Sequence, residues 1–326
     1  MRKFFGATFF LLLIVAGCNN KSKPDSQSKD KKEIVTHPFD ADSAFFYVKA
    51  QTDFGPRVPA SEAHAACAAF LSTKMAQFCD TVIVQPFIAK TYDGNRFNSQ
   101  NIIGSFAPEK EKRILLAAHW DSRHIADMDP DLEKRKLPID GANDGASGVG
   151  VLIELARQLQ LKNPEIGVDI IFFDAEDYGT PSGENIAGDW WCLGSQHWSR
   201  NPHRENYQAD YGILLDMVGA SYATFYHEGY SVFYASQVLS SVWGIANRLG
   251  YGNHFLNKRA NPITDDHYYV NMITKVPMIN IIHQDNESNT GFFPPWHTHN
   301  DNISVIDKNT LQAVGKVLLE VIYDEK

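Results

Sequence analysis

Cysteine is scarce in this chain. Four occur in 326 residues, and Cys18 lies in an N-terminal leader, which leaves Cys67, Cys79 and Cys192 for the folded part. An odd count gives no disulfide framework. Cys67 and Cys79 could pair only if the chain turned back between them, and none of the three has metal-ligand spacing. Positive charge is scarce too. The formal net charge is −9 and the pI about 5.7, with no long Lys/Arg run beyond the N-terminal tail, which argues against nucleic acid as a partner. No apolar run reaches the roughly 20 residues of a comfortable membrane span. Internal repeats are absent, and there is no second linker. What is present is 44% apolar residues with 21% charged, enough to bury a large core.

Met1-Arg2-Lys3 followed by the apolar run Phe4 to Ala16 reads as a secretory signal. It ends in Val15-Ala16-Gly17-Cys18, which resembles the bacterial lipobox and makes Cys18 the lipidated first residue of the mature chain. Residues 19–36 are polar and rich in Lys, Ser and Asp. They hold too few apolar groups to fold and are expected to form a disordered tether. The expectation is therefore signal peptide 1–18, tether 19–36 and a single domain 37–326. The protein would be an exported bacterial lipoprotein on the periplasmic side of the inner or outer membrane.

Along the chain, His37 to Phe54 reads as an amphipathic helix, and Ser61 as the N-cap of a second from Glu62 to Phe78. Thr81 to Phe87, Asn101 to Gly104 and Arg113 to Ala118 read as strands. A Gly-rich turn from Ile139 to Gly148 opens a helix to about Leu161. Such a turn can hold phosphate, but this one lacks the Lys-Ser/Thr ending and carries Asp144, which would repel an anion. Its small residues instead let another group come close. Val168 to Phe173 is a strand buried on both faces, and Asp174, Glu176 and Asp177 follow at once. A long loop from Tyr178 to Leu193 contains Trp190-Trp191, and loops of that length are uncommon unless functional. Ile213 to Gly219 and Val276 to Ile282 are strands, Val232 to Leu249 a helix, and Asp307 caps the last helix, to about Tyr323. Strands alternating with helices imply an α/β domain.

Five separate strand ends or loops deliver His119, Asp144, Glu176 with Asp177, Asp216 and His297. Close carboxylates repel unless a cation, a shared proton or solvent relieves them. Two imidazoles and several carboxylates form a donor set that fits zinc better than a thiolate site or an all-oxygen calcium cage.

The order His-x-Asp-Ser, Gly-x-x-Asp, Phe-Asp-x-Glu-Asp, Leu-Leu-Asp-x-x-Gly, Asp-Asp-His and Trp-His-Thr resembles the zinc aminopeptidase and glutaminyl cyclase superfamily over nearly all of residues 37–326. The resemblance implies a three-layer αβα fold with a mixed, twisted central sheet. It implies Asp144, Asp177 and His297 as zinc ligands and Glu176 as general acid/base. In the two-zinc aminopeptidases, His119 and Asp216 would hold a second ion; in the cyclases, which bind one, they support the site instead.

Trp296 before His297, the segment Leu215 to Ala220, and Asp265 before Asp266-His267 match the cyclase branch. Two departures stand out: the position of Asp177 is usually Glu, and a disulfide found in animal cyclases has no Cys partners here. A bacterial cyclase is the better fit. That branch implies conversion of N-terminal glutamine of peptides or proteins to pyroglutamate with release of ammonia, with one Zn2+ per chain. Asp216 and Asp265 would share protons with Glu176. Trp296 would wall the pocket, and Trp191, Trp190 or Trp198 would face it; of these, Trp191 is the residue assigned. His267 and His299 are expected to be supporting hydrogen-bonders. A two-zinc aminopeptidase is the alternative, a non-catalytic binding protein a third. Oligomeric state stays open, with a monomer the simplest expectation.

Overall fold

The computed structural model describes Met1, Gly6 and residues 38–325. The expected signal peptide with Cys18 and the tether therefore lie outside the described residues, those two isolated positions apart. No helix among the described residues is long and apolar enough to cross a membrane.

The first helix, α1 (Ala41–Thr52), starts later than the apolar pattern implies, because the Asp40 carboxylate caps it by accepting from the Asp42 and Ser43 amides. The second, α2 (Glu62–Phe78), begins where Ser61 accepts from the His64 amide. Cys67 lies on α2 and Cys79 directly follows it, so a rigid rod rising about 1.5 Å per residue keeps them apart. Cys67, Cys79 and Cys192 are all free.

Thr81–Lys90 (β1) and Arg96–Phe106 (β2) form one long antiparallel hairpin. Both strands outrun their sequence signal, since the far end of the hairpin mixes exposed residues such as Lys90, Arg96 and Asn98 with the buried Ala89 and Ser99. The remaining strands of the main sheet are Arg113–His119 (β3), Gly167–Phe173 (β4), Tyr211–Asp216 (β5) and Met278–Ile282, the last strand in the chain. The order is β1-β2-β4-β3-β5 and then that last strand, six in all. The first two join antiparallel and the other four run parallel. The parallel strands bring their carboxyl ends to one side, the place where ligands collect in such sheets.

Side chains alternate across these strands. Val168, Ile170 and Phe172 of β4 face one apolar layer, shared with α1, α2, Ala146–Leu161 (α3) and two later helices, Gly229–Arg248 and Lys308–Asp324. Ile171 and Phe173 face a second layer containing Trp198 and Val270. The sheet is thus sandwiched, and every residue of β4 is buried. Asp169, in the middle of that apolar strand, points into the second layer, where Arg113 Nε donates to it at 2.7 Å.

Two helices in that second layer went unread in the sequence. Leu193–Arg200 (α4) and the four-residue Asp266–Tyr269 are short, and their apolar faces are interrupted by Gly, Ser, Gln and His. A small two-stranded sheet, Phe225–His227 with Phe255–Arg259, also lacked a signal. The helix read from Val232 starts at Gly229, because Glu228 caps it. Α3 seats directly on the sheet. A Cβ on Gly148 would stand 2.6 Å from the Leu215 carbonyl oxygen, so only glycine permits this approach.

Candidate active site

Each site segment emerges from the carboxyl edge of the parallel strands. His119 is the last residue of β3, Asp216 the last of β5, and Asp174, Glu176 and Asp177 follow β4. The turn before α3 supplies Asp144, and the loop beyond the last strand supplies His297. All of these but Asp174 converge in three groups, the first two sharing Asp144. Asp144, Asp177 and His297 each offer a ligand atom within 4.8 Å of the others; so do His119, Asp144 and Asp216, and so do Glu176, Cys192 and Asp265.

A shell of hydrogen bonds fixes this arrangement. Asp121 accepts from the main-chain amides of both Glu176 and Asp177, each at 3.1 Å, and lies 3.5 Å from His119 Nδ1. Asp301 accepts from the amides of Asn143 and Asp144 at 2.8 and 3.1 Å. Asp127 sits 3.2 Å from His297 Nδ1, while His297 Nε2 points the other way, 3.2 Å from Asp177 Oδ1. A partner on one ring nitrogen fixes which nitrogen faces the site. Arg123, fully buried, donates to the carbonyls of Asp177, Gly179 and Thr180 and bridges to Asp127. Ala175, Cys192, Met217 and His297 are four of the nine non-glycine residues with positive φ among the described residues. Strained backbone clustering at one place marks a functional region.

A cavity of about 380 Å3 opens onto these groups, lined by Asp144, Glu176, Asp177, Asp216, Trp191 and Trp296 among others. Trp296 stacks on the His297 ring at 3.7 Å, and Trp191 lies parallel to the same ring at 6.2 Å. The Arg123 guanidinium backs Trp191 at 4.6 Å from its ring centre. Of the three tryptophans considered for the facing wall, Trp191 lines the cavity, whereas Trp198 is fully buried against Phe173 in the second core layer.

Burial dominates the electrostatics. It pushes the Glu176 carboxyl well above the ordinary carboxylate range, and neighbouring Asp177, Asp265 and Asp266 push it further. Burial likewise raises Asp216, to about 7, and raises Asp265. His119 goes well above the ordinary histidine value: burial opposes this, but Asp121, Asp144 and Asp216 outweigh it. So many acids in a water-poor site call for a cation.

Asp144, Asp177 and His297 fit zinc on direct grounds. They give two carboxylates and an imidazole, a three-ligand set of the kind catalytic zinc sites use. Asp177 Oδ2 is buried with no hydrogen-bond partner, a state that costs free energy unless something occupies its lone pairs. Asp177, one methylene shorter than Glu, still reaches the group because Asp121 grips its backbone.

The other sequence-derived residues fall as follows. Asp265 caps the short helix after it and accepts from Asn280 Nδ2 at 2.5 Å, close to Glu176. His267 pairs with Glu228 at 3.0 Å and His299 with Asp129 at 2.8 Å, as supporting residues do. Asp174 accepts from His64, Gln100 and Ala175, shaping the turn. Sequence reasoning missed Arg123 and Asp127, which follow the His-x-Asp-Ser segment in a stretch without apolar periodicity, and Asp301, which no motif marks. Asp121 lay in view inside the His-x-Asp motif. Cys192, set aside for lack of metal spacing, has its Sγ 3.1 Å from Glu176 Oε1.

Comparison with known proteins adds a family and relatives. Peptidase family M28 matches residues 101–322. The glutaminyl-peptide cyclotransferase of Bothrops jararaca is 28% identical over 253 residues, which span 67% of this chain and 63% of the snake protein. Tannerella forsythia glutaminyl cyclase is 52% identical with a TM-score of 0.87, over 88% of this chain and 99% of that one. A Zn-dependent exopeptidase from Parabacteroides distasonis has the same identity and TM-score, over 89% of this chain and 100% of that one.

Proposed function

The chain belongs to peptidase family M28, and from that premise we propose that it is a zinc-dependent glutaminyl-peptide cyclotransferase acting on peptides and proteins with N-terminal glutamine. The observation that carries the reading is the placing of Glu176 beside the Asp144–Asp177–His297 group in a cavity walled by Trp191 and Trp296. Likeness to bacterial and animal glutaminyl cyclases supports the reading.

In the reaction, the substrate α-amine attacks its own γ-amide carbonyl carbon; the new C–N bond closes a five-membered ring, and the old bond to nitrogen breaks, releasing ammonia. Glu176 takes the proton from the attacking amine and returns it to the leaving nitrogen. Trp191 and Trp296 grip the glutamine side chain in the folded-back pose that brings the amine to the carbonyl, which removes much of the entropic barrier. Asp216 and Asp265 share protons with Glu176, so the three titrate as one set. Asp144, Asp177 and His297 would hold zinc, which supplies electrostatic stabilisation of the negative charge growing on the γ-carbonyl oxygen. No hydroxide has to be made, so one ion per chain suffices. His119 then spends its Nε2 on Asp144 and Asp216, at 3.0 and 3.3 Å.

A second reading rests on that same contact. His119, Asp144 and Asp216 would suit a second zinc, and the chain would then be an aminopeptidase. Incubation with a Gln-initiated and a Leu-initiated peptide separates the two. Pyroglutamate and ammonia without free leucine support the cyclase; leucine release with two zincs per chain overturns it. The reading also takes the chain to be a lipoprotein anchored through Cys18 on the periplasmic side of a membrane, supported by the leader sequence. Mass spectrometry of the mature N-terminus tests that, an unmodified Cys18 refuting it.

A further inference from the structure

Glu176 has one side-chain hydrogen-bond donor among the described residues, and it is a thiol. Cys192 Sγ lies 3.1 Å from Glu176 Oε1. The same residue holds Glu176 a second time, its main-chain amide donating to the Glu176 carbonyl at 2.9 Å. Cys192 is itself pinned. It is fully buried, adopts φ +57°, and its carbonyl accepts from the Gln196 amide and the Ser195 hydroxyl as α4 begins. A left-handed non-glycine residue is strained and persists only where its surroundings fix it. That conformation turns the side chain toward Glu176.

We propose that Cys192 is the positioning residue for the general acid/base, its thiol holding Glu176 Oε1 so that Oε2 faces the substrate amine. The inference rests on the cyclotransferase reading. A thiol suits the task physically. It is a weak donor, so it orients the carboxylate without gripping it as tightly as a hydroxyl or amide would. It also stays protonated, because burial and the adjacent Glu176, Asp266 and Asp265 push the thiol well above its ordinary value. Glu176 lines the cavity while Cys192 does not, so the thiol acts through Glu176 and does not touch substrate.

The test compares Cys192→Ala and Cys192→Ser with the wild type on a Gln-initiated peptide, measuring kcat and KM separately alongside Tm and zinc content. Cys192→Ala should lower kcat by about tenfold to a hundredfold, with KM within twofold and zinc retained, since the pocket and the ligands are untouched. Cys192→Ser, which can still donate, should recover most of that loss. A packing role would move Tm and treat both variants alike. If Cys192→Ala fails to fold, Cys192→Gly, which accepts the left-handed backbone and has no donor, takes its place. Wild-type kcat in the variant lacking a donor, or equal impairment of the serine variant, overturns the inference. A wild-type chain that cyclises no Gln-initiated peptide overturns the functional reading, and this inference with it.

Discussion

Gly145, directly after Asp144, offers a sharp test of how the centre is built. A Cβ there would stand 2.5 Å from the His119 carbonyl oxygen, 2.6 Å from His119 Cε1 and 2.7 Å from His119 Nδ1. Carbon atoms pack comfortably at about 3.5 Å, so the ring or the α3 turn would have to retreat by roughly 0.9 Å. The ring has nowhere to go. Its Nδ1 lies 3.5 Å from Asp121 and its Nε2 3.0 Å from Asp144 and 3.3 Å from Asp216, and the residue is buried. Overpacking of this kind costs about 1–3 kcal/mol. Gly145→Ala should therefore lower Tm by several degrees. Activity should fall further than stability, because a shift of about 1 Å at a reacting centre can cost a hundredfold. Zinc should also be lost to a chelator more readily, since Asp144 moves with the turn. The control is Gly244→Ala on the exposed face of its helix, where a Cβ meets nothing within 4 Å; there alanine should be neutral or slightly stabilising. A Gly145→Ala chain that matches this control in Tm, zinc retention and kcat/KM would refute the account.

Three further outcomes are expected. Glu176→Gln should cut kcat by about a hundredfold to ten thousandfold with the fold kept, checked by circular dichroism beside the cyclisation assay; unchanged turnover removes Glu176 from the mechanism. Asp169→Asn strips the buried Arg113 of its partner and should cost about 3–5 kcal/mol in denaturant titration. In the wild type, burial opposes ionisation of Asp169 but Arg113 and Ser105 hold its carboxyl below the ordinary value; its contribution is thus present above about pH 4 and is lost as pH falls through the depressed native value. Finally, kcat/KM on a Gln-initiated peptide should rise from pH 6 to 8, because an α-amine with a pKa of about 7.7–8.0 attacks only when deprotonated; a flat profile argues against amine attack.

Much of the site was legible because its chemistry is local. Glu176 and Asp177 follow a strand buried on both faces, His119 and Asp216 end two others, and the small residues around Asp144 signalled a close approach, which Gly145 now explains. The caps Ser61 and Asp307 marked their helices correctly for the same reason, a short-range hydrogen bond. The β1–β2 hairpin and α4 were misjudged or missed because strand ends of mixed polarity and short helices carry little apolar periodicity.

What the sequence alone determined is the set of parts: an α/β chain of one main unit, its strand ends, and the acids and imidazoles those ends carry. The tertiary structure decided which parts meet. It selected Trp191 over Trp198 for the pocket wall, enlisted Asp121, Asp127, Asp301 and Arg123 to hold Asp144, Asp177 and His297 in place, and set Cys192 against Glu176. These contacts join residues far apart in the chain, such as Asp144 with Asp301 and His297 with Asp127. Nothing in local propensity specifies them; they follow from the order in which parallel strands lie side by side and bring their loops to one edge.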